Sequence, residues 1–369
     1  MKQNNISAQE LGGTACIITG GLFDTVHAKT AHGLIRESKR FEIIGVIDAK
    51  SAGKDAGHLL DGKSRNIPVV ERISSLIEST GQKPEFAVIG MATKGGVLPE
   101  SLYPLVEEAL LQGINLVNGL HQPLSEMERF QKAAEKGEAF IYDIRKPKSF
   151  ADLHFWSGKI LEVPCLKIGV LGTDCSTGKR TTAKLLNQAL TEAGIKSEMI
   201  FTGQTGWLQG GKYGFVLDAT PNDFIPGELE HAIYTCWKEQ QPDVILVEGQ
   251  ASLRNPSGPC GGEFIISGRL DGVILQHHPV REKYSNLEAY PATIHDVIDE
   301  VDLIKKLGAP TWAITLNTGR MNSEQIQEYK ADYQQRGNID VICPMEDGLE
   351  GLVKIVNEQL TGVKSAINE

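Results

Sequence analysis

Long apolar runs are missing from this 369-residue sequence, and no stretch approaches the ~20 residues that cross a bilayer. The opening MKQNNISAQELGG is polar and lacks the apolar centre of a signal peptide, so no secretory leader is expected there. Positive charge is in deficit: 37 Lys and Arg stand against 47 Asp and Glu, a net charge of −10. A field of that sign repels nucleic acid and anionic membrane, so neither is expected as a partner. Cysteine is sparse and scattered, at Cys16, Cys165, Cys175, Cys236, Cys260 and Cys343, with no pair at zinc-ligand spacing. Reduced thiols in a cytoplasmic protein, with no metal site, are the expectation. Also absent is a G-x-G-x-x-G fingerprint, which leaves dinucleotide binding weakly supported. What remains is a small-molecule partner, with a homo-oligomer as the expected assembly.

What is present is an alternation of short apolar strands and helix-like stretches, in a composition (41% hydrophobic, 23% charged) ordinary for a globular protein. The length calls for two domains. In the first half, strands are expected near residues 16–19, 43–47, 67–70, 86–89, 114–117 and 139–142, with helices such as 28–36 and 102–111 between them. Arg145-Lys146-Pro147-Lys148 and the irregular stretch 149–163 read as a linker region. A second series follows, with strands near 166–171, 197–202, 244–247, 273–275, 311–316 and 340–342, and helices near 179–193, 228–238, 294–307 and 323–335. Such alternation implies an α/β protein with mainly parallel sheets covered on both faces. The expected domains are 1–150 and 151–369.

One segment carries chemistry. In LKIGVLGTDCSTGKRTTAKLL a buried strand runs through a Gly/Ser/Thr-rich loop into a helix starting near Lys179. That is the setting of a phosphate-binding loop. Glycines let the backbone approach the anion, and exposed N–H groups at the helix start stabilise negative charge. The expected phosphate ligands are Gly172, Thr173, Asp174, Ser176, Gly178, Lys179, Arg180, Thr181 and Thr182. The pattern departs twice from G-x-x-x-x-G-K-[ST]: the glycines stand one residue further apart, and Arg180 replaces the magnesium-binding hydroxyl. The wider spacing resembles dethiobiotin synthetases, whose loop reads G-T-D-T-x-x-G-K-T. A second element, PDVILVEGQASL at 242–253, places Glu248 at a strand end, where a metal ligand or general base belongs. Arginine in place of the hydroxyl removes one ligand of Mg-ATP. It adds a cation that can neutralise a diphosphate, as in coenzyme A. The alternative, an ATP- and magnesium-dependent ligase or kinase resembling dethiobiotin synthetase, stays open because Thr181 could take the metal.

Segments along nearly the whole chain resemble the D-glutamate N-acetyltransferase (DgcN-like) family, formerly a phosphate-binding-loop family of unknown function. They are KTAHGLIR (29–36), DAKSAGKDAG (48–57), GMATKGGVLP (90–99), NGLHQPLS (118–125), YDIRKP (142–147), GTDCSTGKRTT (172–182), DATPNDFIPGELE (218–230), EGQASL (248–253) and QHHPVR (276–281). The resemblance implies a Rossmann-like N-terminal domain and a P-loop NTPase-like C-terminal domain. It further implies acetyl transfer from acetyl-CoA, as co-substrate, to the amine of D-glutamate, in amino-acid catabolism. The stretch after Glu248, where Arg254-Asn255-Pro256 runs into SGPCGGE, departs from the family pattern.

Acetyl transfer needs a base for the amine, a donor for the developing oxyanion and an acceptor held in line. Candidate bases are Glu248, Asp223 and His277. Arg281 and Arg254 are candidates to clamp a substrate carboxylate. In the first half, Gly20-Gly21 and Asp48 have the look of a nucleotide turn, while Gly95-Gly96 and residues 118–121 are expected to build part of the cleft. Arg145 and Lys146 either reach CoA phosphates or solvate the linker.

Overall fold

A computed structural model describes residues 11–367. Most of the polar opening stretch, residues 1–10, falls outside it. The chain divides into two units, one of residues 1–148 and 203–212, the other of residues 149–202 and 213–369. An undivided cut near residue 150 therefore misses the excursion 203–212.

The first unit alternates β1 (Gly13–Ile18), α1 (Lys29–Arg36), β2 (Phe41–Ile47), α2 (Ala56–Asp61), β3 (Val69–Val70), α3 (Ile73–Thr80), β4 (Phe86–Ile89), α4 (Tyr103–Leu111), β5 (Asn115–Asn118), α5 (Glu128–Gly137) and β6 (Ile141–Asp143). Its strands pair in the order β3-β2-β1-β4-β5-β6, all parallel. That is the doubly wound order of a Rossmann sheet, with its switch point between β1 and β4. The carboxylate at the end of β2 is consumed by the fold. Asp48 is 1% exposed. It accepts from the Thr19 hydroxyl (2.7 Å), the Gly21 and Phe23 amides (2.9 and 3.0 Å) and the Ser51 amide (3.1 Å). Left-handed φ angles at Gly20 and Gly21 (57° and 87°) make that turn possible. Asp48 thus holds its own turn together and is not free for a ribose.

The second unit runs β7 (Leu166–Gly172), α6 (Lys179–Glu192) and β8 (Ser197–Phe201). The chain then passes α7 (Gln204–Leu208), which belongs to the first unit. It continues with β9 (Tyr213–Gly214), α8 (Ile225–Gln240), β10 (Val244–Glu248), α9 (Gly262–Ile266), β11 (Gly272–His277), α10 (Val297–Leu307), β12 (Thr311–Leu316), α11 (Ser323–Gly337), β13 (Asp340–Ile342) and α12 (Glu350–Ile367). The parallel sheet has the order β13-β12-β11-β7-β10-β8-β9. β7 lies centrally, and all seven of its residues are buried. Side-chain alternation builds two cores. Leu166, Ile168, Leu246 and Ile274 pack on one face with Leu186 and Leu352. Val247, Leu275 and Ile200 pack on the other with Leu229 and Phe264. Each fully buried aliphatic side chain contributes about 1.5–3 kcal/mol, which explains why these strands read as unbroken apolar runs.

Several expectations change: the strand expected at 16–19 runs Gly13–Ile18, and the helix expected at 294–307 begins at Val297. The helix expected at 228–238 begins at Ile225, because Pro226 suits a first turn. The stretch 149–163 is not a loose linker. Glu228 accepts from the His154 amide (3.0 Å), and Glu230 accepts from the Ser157 and Ile160 amides (2.6 and 3.2 Å). Gly227 permits this crossing, since a Cβ there would overlap the carbonyls of His154 and Phe155. All six cysteines are free. Among the described residues, no helix is long and apolar enough to cross a membrane.

Candidate active site: the phosphate loop and its neighbours

Strand order assembles the site. β7 ends at Gly172, flanked by the ends of β10 and β11, so Glu248 and Gln276 stand either side of the loop 173–178. The close approach of β10 requires glycine at 249, where a Cβ would lie 2.6 Å from the Val170 carbonyl oxygen. Ser176 and Gly178 take left-handed φ angles of 54° and 113° as the loop turns into α6.

Every cation expected to meet a ligand is engaged by the protein itself. Lys179 is 7% exposed. Its Nζ donates to the carbonyls of Asp174 (2.6 Å) and Ala251 (2.9 Å), and its stem packs 2.9 Å from where a Cβ of residue 172 would stand. Burial pulls the Lys179 ammonium below the usual lysine range, with Cys175 and Asp174 opposing. Arg180 Nη1 donates to Glu248 Oε2 at 2.6 Å. Burial pushes the Glu248 carboxyl above its ordinary value and Arg180 opposes that shift. Glu248 is therefore a partner of Arg180 and not a free base.

Asp174 is wholly buried. Its Oδ1 accepts from Asn255 (3.1 Å), and its Oδ2 accepts from Arg281 (3.0 Å) and the Ser285 amide (2.8 Å). Arg281 also donates to the Cys175 carbonyl at 2.6 Å. In place of a substrate clamp, Arg281 is a staple across the loop. Arg254 donates to the buried Glu300 at 2.7 Å, and Tyr284 donates to the Arg254 carbonyl at 3.1 Å. Its Nη2 is buried without a hydrogen-bond partner among the described residues. The unusual stretch 254–260 thus brings Asn255 to the loop, while Arg254 ties the stretch to Glu300 of α10.

His277 is not poised as a base either. It ends β11, 5% exposed, with Nδ1 2.9 Å from the Thr173 hydroxyl and Nε2 3.3 Å from the Tyr333 hydroxyl. Burial lowers its pKa to about 4, aided by His278 and Arg281. Thr182 donates to Gln276, which also accepts from Thr315 at 2.8 Å, while Thr181 is exposed. Asp223 is exposed in the turn leading into α8 and makes no hydrogen bond or ion pair among the described residues. In the first unit, Arg145 donates to the Gly119 carbonyl and Lys146 pairs with Glu126 at 3.3 Å.

Asn255, Ser285, Gln276, Thr315 and Asn317 were not legible as site residues. Asn317, which donates to the Thr177 carbonyl at 2.9 Å, follows a strand end and had a positional signal. Gln276, which follows the strand expected at 273–275, had the same signal, and Asn255 lay in the stretch singled out after Glu248; Ser285 and Thr315 are ordinary polar residues until the fold brings them to the site.

Residues 154–353 match the family described as Domain of unknown function (DUF1611_C) P-loop domain. Residues 49–147 match Domain of unknown function (DUF1611_N) Rossmann-like domain. Two relatives named D-glutamate N-acetyltransferase are each 29% identical. That of Pseudoalteromonas sp aligns over 285 residues, 76% of this chain and 83% of its own. That of Tritonibacter scottomollicae aligns over 345 residues, 91% and 96%. A crystal structure of a DUF1611 family protein from Anabaena variabilis ATCC 29413 covers 94% of this chain and 99% of its own, with a TM-score of 0.83 and 27% identity.

Proposed function

The chain belongs to the DUF1611 family, and from that premise we propose that it is an acetyl-CoA-dependent N-acetyltransferase acting on the amine of an acidic amino acid, D-glutamate first. The observation that carries this reading is the alignment, over 91% of the chain, with a relative named for that reaction. The geometry is compatible with it. The loop 172–180 offers backbone N–H groups, the start of α6, Lys179 and Arg180 to the diphosphate of the donor. Lys179 must first leave the carbonyls of Asp174 and Ala251.

Of the three candidate bases, Asp223 alone is an exposed carboxylate without a partner among the described residues, so it is the group assigned to take the ammonium proton. The freed amine then attacks the thioester carbonyl, an amide bond forms as the carbon–sulfur bond breaks, and the second amine proton ends on the departing CoA thiolate.

The test is release of free thiol from acetyl-CoA on adding D-glutamate. No release across acidic amino acids of both hands overturns the reading. Asp223→Asn should lower kcat at least tenfold with acetyl-CoA binding retained. Thermal stabilisation by acetyl-CoA but not by Mg-ATP is expected, since a ligand that binds only the folded state stabilises by mass action. The reverse pattern supports the ATP-dependent alternative.

A further inference from the structure

The P-loop architecture brings with it the expectation of a divalent cation bound between the loop and the acidic residue of the neighbouring strand. The donor set here does not fit one. A magnesium ion in such a site takes a hydroxyl from the first turn of the helix, a strand-end carboxylate, phosphate oxygens and water. The first-turn position holds Arg180, and its guanidinium sits 2.6 Å from the carboxylate that would hold the ion or its water. The next hydroxyl inward, Thr182, is spent on Gln276. Both oxygens of the loop carboxylate, Asp174, accept from Asn255, Arg281 and Ser285. Thr181 keeps an exposed hydroxyl, but one residue along an α-helix is a rotation of about 100° away from the Arg180 position. Among the described residues, no group of three or more His, Cys, Asp or Glu side chains is arranged to hold a metal.

We propose that the Arg180–Glu248 pair stands in the place of the divalent cation, so that the loop takes a diphosphate ester in its metal-free form. The Arg180 side chain is 20% exposed and that of Glu248 7% exposed, so Arg180 is the more accessible member of the pair. The planar fork can keep one nitrogen on Glu248 and turn another to a phosphate oxygen. Glu248 holds the guanidinium in place. This rests on the phosphate-loop part of the reading above and not on the identity of the acceptor or on acetyl transfer.

The test is calorimetric binding of CoA, and separately of ADP, in EDTA and in millimolar magnesium chloride. The wild-type protein should bind CoA with the same Kd in both buffers, within a factor of two. Arg180→Thr, which restores a first-turn hydroxyl and frees Glu248, should bind at least tenfold more weakly in EDTA and regain affinity with magnesium. Because Arg180→Thr leaves a buried carboxylate alone, its melting temperature should rise with magnesium, and that of the wild type should not. If Arg180→Thr does not fold, Arg180→Thr with Glu248→Gln leaves neither charge alone. That double variant should lose affinity tenfold whether or not magnesium is present.

A tenfold gain for the wild type on adding magnesium overturns the inference, as does unimpaired binding by the Arg180 variants in EDTA. Binding of ADP but not CoA, equal in both buffers, sinks the CoA-donor reading and upholds this one. Failure of both probes to bind sinks both.

Discussion

Arg281 carries its guanidinium to a carboxylate with no solvent exposure, and that decides what its loss will do. Without it, Asp174 keeps the Asn255 and Ser285 donors and the Lys179 charge nearby, but loses its ion-pair partner. Stranding a buried carboxylate in this way costs on the order of 3 kcal/mol. Arg281→Ala should therefore lower stability in chemical denaturation and weaken binding of any phosphate ligand. A variant of wild-type stability with only a raised KM for the amine acceptor shows instead that Arg281 acts on substrate. His277 supplies a pH signature. Its folded pKa, about 4, lies below the unfolded value of about 6.5. The unfolded chain then binds the extra proton between those values. The contribution is fully present above pH 6.5 and is lost as pH falls towards 4, by roughly 3 kcal/mol. His277→Gln should flatten stability against pH across that window. An unchanged slope means that the ring titrates normally in the folded protein.

Among the elements, the start of α8 does most to shape the second unit. Its first two turns place Gly227, Glu228 and Glu230 against residues 154–160, and the two carboxylates satisfy amides there that no strand or helix would satisfy. His154 and His231 stack at 3.7 Å across the same contact. A methyl group at 227 has no room beside the His154 and Phe155 carbonyls. Gly227→Ala should lift this segment off the helix, lower the melting temperature by several degrees and open residues 149–163 to limited proteolysis. Cleavage no faster than in the wild type argues that the segment is held from elsewhere. The same crowding makes Gly249 intolerant, because there the obstacle is the backbone of β7 and not a movable side chain.

For the molecule as a whole, the excursion 203–212 matters most. It leaves the second unit after β8 and completes the first. Within that first unit, Trp207 is 6% exposed, stacks on Tyr142 with centroids 5.0 Å apart, and carries the Arg40 guanidinium 4.2 Å from its ring. Arg40 Nε also donates to the Trp207 carbonyl at 2.7 Å. A fragment ending at Lys148 lacks this cover and should show less native circular dichroism and a broader melting transition than the intact chain. In the intact chain, Trp207→Ala should cost about 3–5 kcal/mol. A cooperative, well-folded fragment 11–148 would mean that the excursion is dispensable to the first unit.

The sequence alone determined the features that arise locally. Alternation of apolar runs with helix-like stretches specified two parallel α/β layers, because strand burial and helix amphipathicity are properties of neighbouring residues. GTDCSTGKR declared the strand–loop–helix of a P-loop domain for the same reason, since its glycines, lysine and helix start lie within a dozen positions. Tertiary structure decided which charges are free. Arg180 meets Glu248 across 68 residues and Arg281 meets Asp174 across 107. Nothing in the identity of an arginine tells whether a counter-charge or a ligand will face it. Pairing of β7 with β10 and β11 settles that, because it sets those strand ends side by side. The same holds for Asp48, which with Gly20-Gly21 had the look of a nucleotide turn and whose oxygens Thr19, Gly21, Phe23 and Ser51 take up, and for His277, whose place at a strand end was legible while its burial between Thr173 and Tyr333 was not.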